Sequence, residues 1–283
     1  MITTRIKGAI KNVVYCLLCL YSVTIVACIN TEQQDASMPN NDRPPTDLIE
    51  YAVAGRFPHD TSLFTEGLVF YNDQLYESTG SPGNLPAARS LIGAVDLGSG
   101  KMSIKAELDK RIYFGEGIVF LDNKAYQLTY KNQVGFIYDA LSFTKIDSFN
   151  YSSPEGWGMT TDKHSLIMSD GTDELTFLDP STLKVQKKLK VLDKGSPLDK
   201  LNELEYVKGY IYANVWEEDY IVKVDPVTGA VVGRIDLTSL VLEAKSLNPA
   251  ADVLNGIAYD ESKDQVYITG KLWPNIYQVS FNH

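Results

Sequence analysis

Five segments of this 283-residue chain resemble one another, and this internal repetition constrains the fold more than any other feature of the sequence. The segments begin at residues 64, 114, 154, 202 and 255 and read FTEGLVFYNDQLYESTG, FGEGIVFLDNKAYQLTY, PEGWGMTTDKHSLIMSDG, NELEYVKGYIYANVW and NGIAYDESKDQVYITG. When aligned, they place an acidic or amide residue at one shared position, occupied in turn by Glu66, Glu116, Glu155, Glu203 and Asn255. The separations of 50, 39, 48 and 52 residues are close to the roughly 40 to 50 residues of a four-stranded propeller blade.

Each repeat predicts a short strand, a polar turn and a second strand with alternating apolar residues. Two further strands follow in the fourth repeat, YIVKVDPVTGAVVGRIDL, where the turn at residues 225–229 has Asp and Pro at preferred positions. The fifth repeat has only three clear strands, and the segment YAVAGRFP from Tyr51 can supply the fourth, which would remove two exposed sheet edges. We therefore predict an all-β fold, a five-bladed β-propeller with four-stranded antiparallel blades whose ring is closed by an N-terminal strand joining the last blade.

The N-terminal segment has the layout of an export signal. Basic residues at positions 5, 7 and 11 precede an uncharged apolar run over residues 13–27. The run ends at Ile25-Val26-Ala27-Cys28, which resembles the bacterial lipobox, in which the cysteine is acylated and becomes the mature N terminus. A retained signal anchor is the alternative, but the run is short for a membrane span, which needs about 20 residues.

These features predict a domain organisation and a location. Residues 1–27 are a lipoprotein signal peptide, residues 28–48 comprise acylated Cys28 and a flexible, proline-containing linker, and residues 49–283 form the propeller. The protein is then exported and lipid-anchored to the bacterial cell envelope, on its periplasmic or its cell-surface side. A monomer is expected.

Composition excludes several function classes. The formal net charge of −10 lacks the concentrated positive surface that nucleic acid binding requires. All three cysteines (positions 16, 19 and 28) lie within the first 28 residues, so the predicted propeller domain has no disulfide and no thiol chemistry. The three histidines have no zinc-ligand spacing, and there is neither a GxSxG nor a Walker motif.

The repeated acids and several aromatic residues remain as candidates for function. The acids would form a ring at one mouth of the central channel, where they could position blades through backbone amides, hold a structural calcium ion, or carry catalysis. Aromatic residues near the predicted mouth could equally be blade packing, although Trp157 follows Glu155 and Trp216 precedes three acids. These aromatic candidates are Phe64, Phe114, Tyr130, Trp157, Trp216 and Trp273.

The motifs FGEGIVF, PEGWGMTTD, LNELEYV, ANVW and ITGKLWP resemble the plant and bacterial glutaminyl cyclases, also called glutamine cyclotransferases, over roughly residues 51 to 278. The resemblance implies a five-bladed propeller that converts N-terminal glutamine of peptides or proteins to pyroglutamate and releases ammonia, an intramolecular aminoacyl transfer. It also implies that no cofactor is required.

The resemblance further implies residue roles. Glu116 corresponds to the catalytic acid and base, and Asn202 and Lys271 correspond to groups that polarise the amide carbonyl. The substrate pocket would comprise Phe64, Glu66, Phe114, Tyr130, Trp157 and Trp216.

Two of these positions depart from the family pattern. Many members have glutamine at the position of Glu66, and tryptophan is common at that of Tyr130. These departures keep open a non-catalytic cell-surface propeller that binds peptides or glycans. A calcium-dependent hydrolase of the lactonase type fits less well, because those propellers have six blades.

Overall fold

The computed structural model describes residues 46–283, which form five four-stranded antiparallel sheets. The chain begins with β1 (Tyr51–Pro58). Blade 1 comprises β2 (Thr65–Tyr71), β3 (Gln74–Thr79), β4 (Leu91–Asp96) and β5 (Lys101–Glu107), and blade 2 comprises β6 (Gly115–Leu121), β7 (Lys124–Thr129), β8 (Val134–Asp139) and β9 (Lys145–Asn150). Blade 3 comprises β10 (Met159–Thr161), β11 (Leu166–Met168), β12 (Glu174–Leu178) and β13 (Val185–Lys190).

A two-stranded hairpin, β14 (Leu192–Asp193) and β15 (Ser196–Pro197), precedes blade 4. Blade 4 comprises β16 (Leu201–Val207), β17 (Tyr210–Val215), β18 (Tyr220–Val224) and β19 (Val231–Asp236), and is followed by helix α1 (Thr238–Leu247). Blade 5 comprises β20 (Leu254–Asp260), β21 (Gln265–Gly270) and β22 (Asn275–Phe281), and β1 completes it. The predicted five-bladed architecture is therefore confirmed, and the six-bladed alternative is wrong.

The ring closes as the sequence predicts. Strand β1 pairs antiparallel with β22, in a register that runs from Tyr51 opposite Phe281 to Pro58 opposite Asn275. Its side chains alternate between partly buried and exposed, because β1 is the outermost strand of blade 5. Both ends of the propeller thus share one sheet.

Two kinds of turn recur because the local sequence favours them. The β2–β3 and β6–β7 hairpins turn through residues 72–73 and 122–123, Asn and Asp pairs with positive φ angles, as a type I′ turn requires. Between the third and fourth strands of blades 1 to 4, an aspartate accepts the backbone N–H three residues later, which stabilises the turn. These aspartates are Asp96, Asp139, Asp179 and Asp225.

Apolar side chains of adjacent blades fill the space between the sheets, and the innermost strands meet closely at the axis. A Cβ atom on Gly117 would lie 2.6 Å from the Met159 nitrogen and 2.6 Å from the Trp157 oxygen. Glycine is therefore the residue that lets blade 2 approach blade 3 at this point.

Two features were not predicted. No long helical pattern was expected, yet α1 separates blades 4 and 5 and buries Leu240, Val241 and Ala244. Residues 46–49, at the end of the predicted linker and start of the domain, lie along β19, where Ile49 donates to the Arg234 carbonyl at 2.8 Å. Within residues 46–283, no helix is long and apolar enough to cross a membrane. The predicted signal peptide, Cys28 and linker residues before position 46 lie outside the described residues.

Candidate active site

The ring of equivalent residues at the channel mouth differs from the sequence alignment in two blades. Strand pairing joins Gly115 to Thr129 in blade 2 and Leu201 to Val215 in blade 4, so that Asn202 is the equivalent of Glu116. The ring is therefore Glu66, Glu116, Trp157, Asn202 and Asn255.

The predicted places of Glu155 and Glu203 in this ring are wrong. In blade 3, Met159 pairs with Met168 as Ile118 pairs with Gln127, which gives the ring position to Trp157. The alignment had matched acidic residues to one another and so shifted the register of blades 3 and 4. Glu155 lies two residues before the ring position and Glu203 lies one after it.

Both displaced acids have structural contacts. Glu203 is fully buried and accepts backbone N–H groups of Leu68 at 3.1 Å and Ile257 at 2.9 Å, which links blade 4 to blades 1 and 5. Burial, and then the nearby Glu205, raise the pKa of Glu203 well above its usual range. Glu155 accepts the indole N–H of Trp157 at 2.9 Å and thereby orients that ring.

A cavity of about 360 Å³ opens at the ring, and all nine predicted site residues line it: Phe64, Glu66, Phe114, Glu116, Tyr130, Trp157, Asn202, Trp216 and Lys271. Pro82, Glu217, Asp252 and Val253 also line it and were not predicted to do so. Pro82 lies in the β3–β4 loop within blade 1, Glu217 lies in the β17–β18 loop within blade 4, and Asp252 and Val253 lie between α1 and β20, outside the repeated segments. A larger cavity of about 540 Å³ surrounds the opposite ends of the inner strands and contains none of the nine.

Two buried carboxyl groups stand side by side in the smaller cavity. Burial chiefly raises the pKa of Glu116 well above its usual range, and the neighbouring Glu66 adds to this, with Lys271 opposing. Burial also raises the pKa of Glu66 to about 7, against the effect of Lys271 and with a contribution from Asp252. The titrations of Glu66 and Glu116 are coupled, because each carboxyl group affects the pKa of the other, so that the pair can share a proton.

Lys271 is held at the cavity wall rather than solvated. Its side chain is 8% exposed, and Nζ lies 2.7 Å from Glu66 Oε2 and 4.6 Å from the centre of the Phe64 ring. Its backbone N–H donates to the Val253 carbonyl at 3.0 Å, and its carbonyl accepts from Asp252 at 2.9 Å. The position of this ammonium group is therefore constrained.

Asn202 differs from Lys271 in having free hydrogen-bonding capacity. Its side chain is buried at the cavity, and within residues 46–283 its Oδ1 has no hydrogen-bond partner. A buried acceptor without a partner is costly, so that a ligand group donating a hydrogen bond to this oxygen would be favoured.

Aromatic rings form the remaining walls. Phe114 lies edge-on to Phe64 with ring centres 6.3 Å apart and lies 5.7 Å from Tyr130, so that the tyrosine keeps a ring in this wall. Trp157 and Trp216 pack edge to face at 5.8 Å, and Trp216 is partly exposed at the mouth.

Trp273 belongs to the core rather than to the cavity wall. It is fully buried, packs against Tyr277 and donates its indole N–H to the Asp252 carbonyl at 2.9 Å. Its contribution to the cavity is indirect, through the backbone that precedes Val253.

The ring position holds two glutamates, two asparagines and one tryptophan, so it has two carboxylates where the repeat alignment had placed four. Across the described part of the chain, no group of three or more His, Cys, Asp or Glu side chains is arranged to hold a metal ion.

Comparison with known proteins gives consistent matches. A family model described as glutamine cyclotransferase matches residues 20–281. The chain is 41% identical over 232 residues to glutaminyl-peptide cyclotransferase of Arabidopsis thaliana, an alignment that covers 81% of this chain and 71% of that protein. The crystal structure of Myxococcus xanthus glutaminyl cyclase superposes with a TM-score of 0.76 at 32% identity, covering 84% of this chain and 99% of the other.

Proposed function

The chain belongs to the glutamine cyclotransferase family, and we propose how its pocket converts an N-terminal glutamine to pyroglutamate with release of ammonia. The observation that carries the mechanism is a buried glutamate, Glu116, in a cavity lined by aromatic rings, the ammonium of Lys271 and the buried side chain of Asn202. The resemblance predicts the same three residues as the reacting groups.

Glu116 transfers the proton. The neutral α-amine of glutamine attacks the carbon of its own side-chain amide, so that one C–N bond forms and the bond to the amide nitrogen breaks. The attacking nitrogen loses one proton and the departing nitrogen gains one, which leaves the proton count unchanged. Because burial raises the pKa of Glu116 well above that of an ordinary carboxyl, the same group can accept the first proton and return it to ammonia.

Lys271 and Asn202 stabilise the oxygen of the reacting amide. This oxygen becomes negatively charged as the ring forms, and donors fixed in a water-poor site favour that charge without reorganising. The Lys271 ammonium and the Asn202 side-chain N–H are the donors proposed here. Lys271 supplies the greater electrostatic effect because it is charged and buried.

The aromatic walls hold the substrate side chain in the folded shape that cyclisation needs. Phe64, Phe114 and Tyr130 form one wall, while Trp157 and Trp216 form another. Restricting the short glutamine chain in this way removes much of the entropic cost of ring closure.

Carboxylates favour a substrate with a free N terminus. Glu66, Asp252 and Glu217 line the same cavity as Glu116, against one buried ammonium group, that of Lys271. We propose that Glu66 binds the α-ammonium before it is deprotonated, and that peptides or proteins with N-terminal glutamine are the substrates. The chemistry is an intramolecular aminoacyl transfer that uses protein groups alone.

Ammonia release from a glutamine-initiated peptide tests the mechanism. Glu116→Gln keeps the shape of the side chain but cannot exchange a proton, and we expect at least about a hundredfold loss of kcat. Glu261→Gln changes an exposed carboxylate on the opposite face and serves as the control, which should retain wild-type rates. Full activity of Glu116→Gln would refute the assignment.

We also propose that residues 1–27 direct export and that Cys28 carries a lipid anchor. The support is the order of the segments before Cys28: basic residues come first, an apolar run follows, and the run ends in a lipobox-like sequence. Metabolic labelling with radioactive palmitate should mark the wild-type protein and Cys19→Ser but not Cys28→Ser. Label retained by Cys28→Ser would contradict the proposal.

A further inference from the structure

A buried histidine–glutamate pair lies at the seam where blade 5 meets blade 1. His59 follows β1, and Glu77 lies on β3; both side chains have no solvent exposure. His59 Nε2 is 3.0 Å from Glu77 Oε2, and His59 Nδ1 is 2.9 Å from the Trp273 carbonyl oxygen. Neither residue lines the cavity described above.

The partners of His59 determine where its protons lie. A carbonyl oxygen can only accept, so Nδ1 must carry a proton and donate it to Trp273. The other nitrogen faces a carboxylate, which favours a second proton there. Although burial opposes the charge, Glu77 and the Trp273 carbonyl raise the pKa of His59 above its ordinary value. The pair is thus a directional, charge-assisted link between two elements.

The His59–Glu77 pair contacts residues that neighbour both members of the Glu66–Lys271 ion pair in the chain. The Thr65 hydroxyl donates to Glu77 Oε1 at 2.7 Å, and Thr65 immediately precedes Glu66. At the other end, Trp273 is two residues beyond Lys271.

The backbone at Lys271 needs such support. Leu272 has a φ of 61°, a left-handed conformation that is costly for leucine. Its N–H donates to the Leu63 carbonyl at 2.9 Å, while the His59 backbone N–H donates to the Pro274 carbonyl at 2.9 Å. The segment before β2 therefore holds the segment after Lys271 at three points.

We propose that His59 is a positioning residue for the cyclisation, oriented by Glu77, and that it fixes the Lys271 backbone through the Trp273 carbonyl. The inference rests on the proposed role of Lys271 at the amide oxygen. A lysine side chain is long and flexible, so its ammonium is placed accurately only if its backbone is rigid. An error of about 1 Å in the position of a catalytic group can cost about a hundredfold in rate.

Two substitutions at His59 separate its contact with the Trp273 carbonyl from its contact with Glu77. The amide nitrogen of asparagine lies near the position of Nδ1 and can still donate to the Trp273 carbonyl. The amide nitrogen of glutamine lies near Nε2 and can still donate to Glu77. We expect His59→Gln to lower kcat by about tenfold, with KM changed less than about threefold. The reason is that the Lys271 ammonium would be misplaced, and this group acts mainly in the transition state. We expect His59→Asn to keep at least about a third of the wild-type kcat.

Glu205→Gln is the matched control. Glu205 is another buried acid that accepts a backbone N–H, from Tyr259 at 2.8 Å, but it lies at the opposite mouth of the channel. The Glu205→Gln variant should keep kcat within about twofold of the wild-type value. All variants are compared at a temperature below their thermal midpoints. Equal kcat values for His59→Gln and His59→Asn, or a loss in His59→Gln no greater than in Glu205→Gln, would overturn the proposal.

Thr65→Val keeps the proposal testable if the His59 variants do not fold. It removes only the hydroxyl that joins Glu77 to β2, and we expect kcat to fall about threefold; an unchanged kcat would contradict the network. Failure of the proposed function has a different signature, since the wild-type protein would then release no ammonia or Glu116→Gln would remain active.

Discussion

Replacing Glu66 by glutamine is expected to make the enzyme active at lower pH. Glu66 and Glu116 are buried side by side, and the charge of Glu66 is the second largest cause, after burial, of the raised pKa of Glu116. Glu116 must be ionised to accept the proton of the α-amine. Removing the neighbouring negative charge favours that ionised form and lowers the pKa of Glu116.

The size of the effect follows from the electrostatics of the pocket. As a general scale, two unit charges about 5 Å apart at an effective dielectric constant of about 20 interact by about 3 kcal/mol, or about two pKa units. Lys271 remains in place with its charge no longer compensated by Glu66, and this acts in the same direction. The neutral glutamine side chain in the Glu66→Gln variant would still accept a hydrogen bond from Lys271. We therefore expect the acid limb of kcat/KM to move down by about one to two pH units.

The measurement is ammonia release from a glutamine-initiated peptide between pH 4 and 9, fitted for the ionisations of the free enzyme. Asp252→Asn is the control, since Asp252 raises the pKa of Glu66, which is about 7, but is not a main cause of the shift at Glu116. Removing the Asp252 charge favours the ionised form of Glu66, which continues to raise the pKa of Glu116, so the limb should not move down in this variant. An acid limb that stays in place or moves upward in Glu66→Gln would refute the coupling of the two carboxyl groups.

Three further predictions concern stability and cofactors. Burial raises the pKa of Glu205 from 4.5 to about 8. The folded state therefore binds this proton more tightly than the unfolded state does, which stabilises the fold below about pH 4.5. The free energy of unfolding should fall by up to about 4 kcal/mol as the pH rises toward 8. Urea unfolding at pH 5 and pH 8 measures this loss, which Glu205→Gln should reduce; an equal loss in the variant would exclude Glu205 as its source. Gly117→Ala should destabilise the fold by about 3 kcal/mol, because the added Cβ meets backbone atoms of blade 3 at 2.6 Å; an unchanged urea midpoint would contradict this packing argument. Dialysis against EDTA should leave ammonia release unchanged, and a loss restored by calcium would show that a metal takes part.

The fold could be predicted from the sequence because its determinants are local and repeated. Alternating strands, Asx turns and Asn–Asp hairpins recur in successive blades, and each can be recognised within about 20 residues. Closure by β1 followed from counting strands, since blade 5 lacks one and an exposed edge is unfavourable. Helix α1 escaped prediction because it is a short element, of ten residues, between two blades.

The family motifs were equally informative about the candidate site. All nine predicted site residues line one cavity, although six of them lie in the family motifs and the nine come from every blade or its adjoining loops. The repeat alignment alone was less accurate, because matching acids to acids placed Glu155 and Glu203 where strand pairing places Trp157 and Asn202.

The sequence by itself determined the number of blades, the closing strand and the types of residue around the pocket. Only the tertiary structure decided which of these residues are coupled. Glu66 and Lys271 are 205 positions apart, yet they form a buried ion pair, and His59 contacts the backbone 214 positions away. Such contacts and the pKa shifts that follow from them depend on burial and on distance in space, and neither quantity is encoded in any local stretch of the chain.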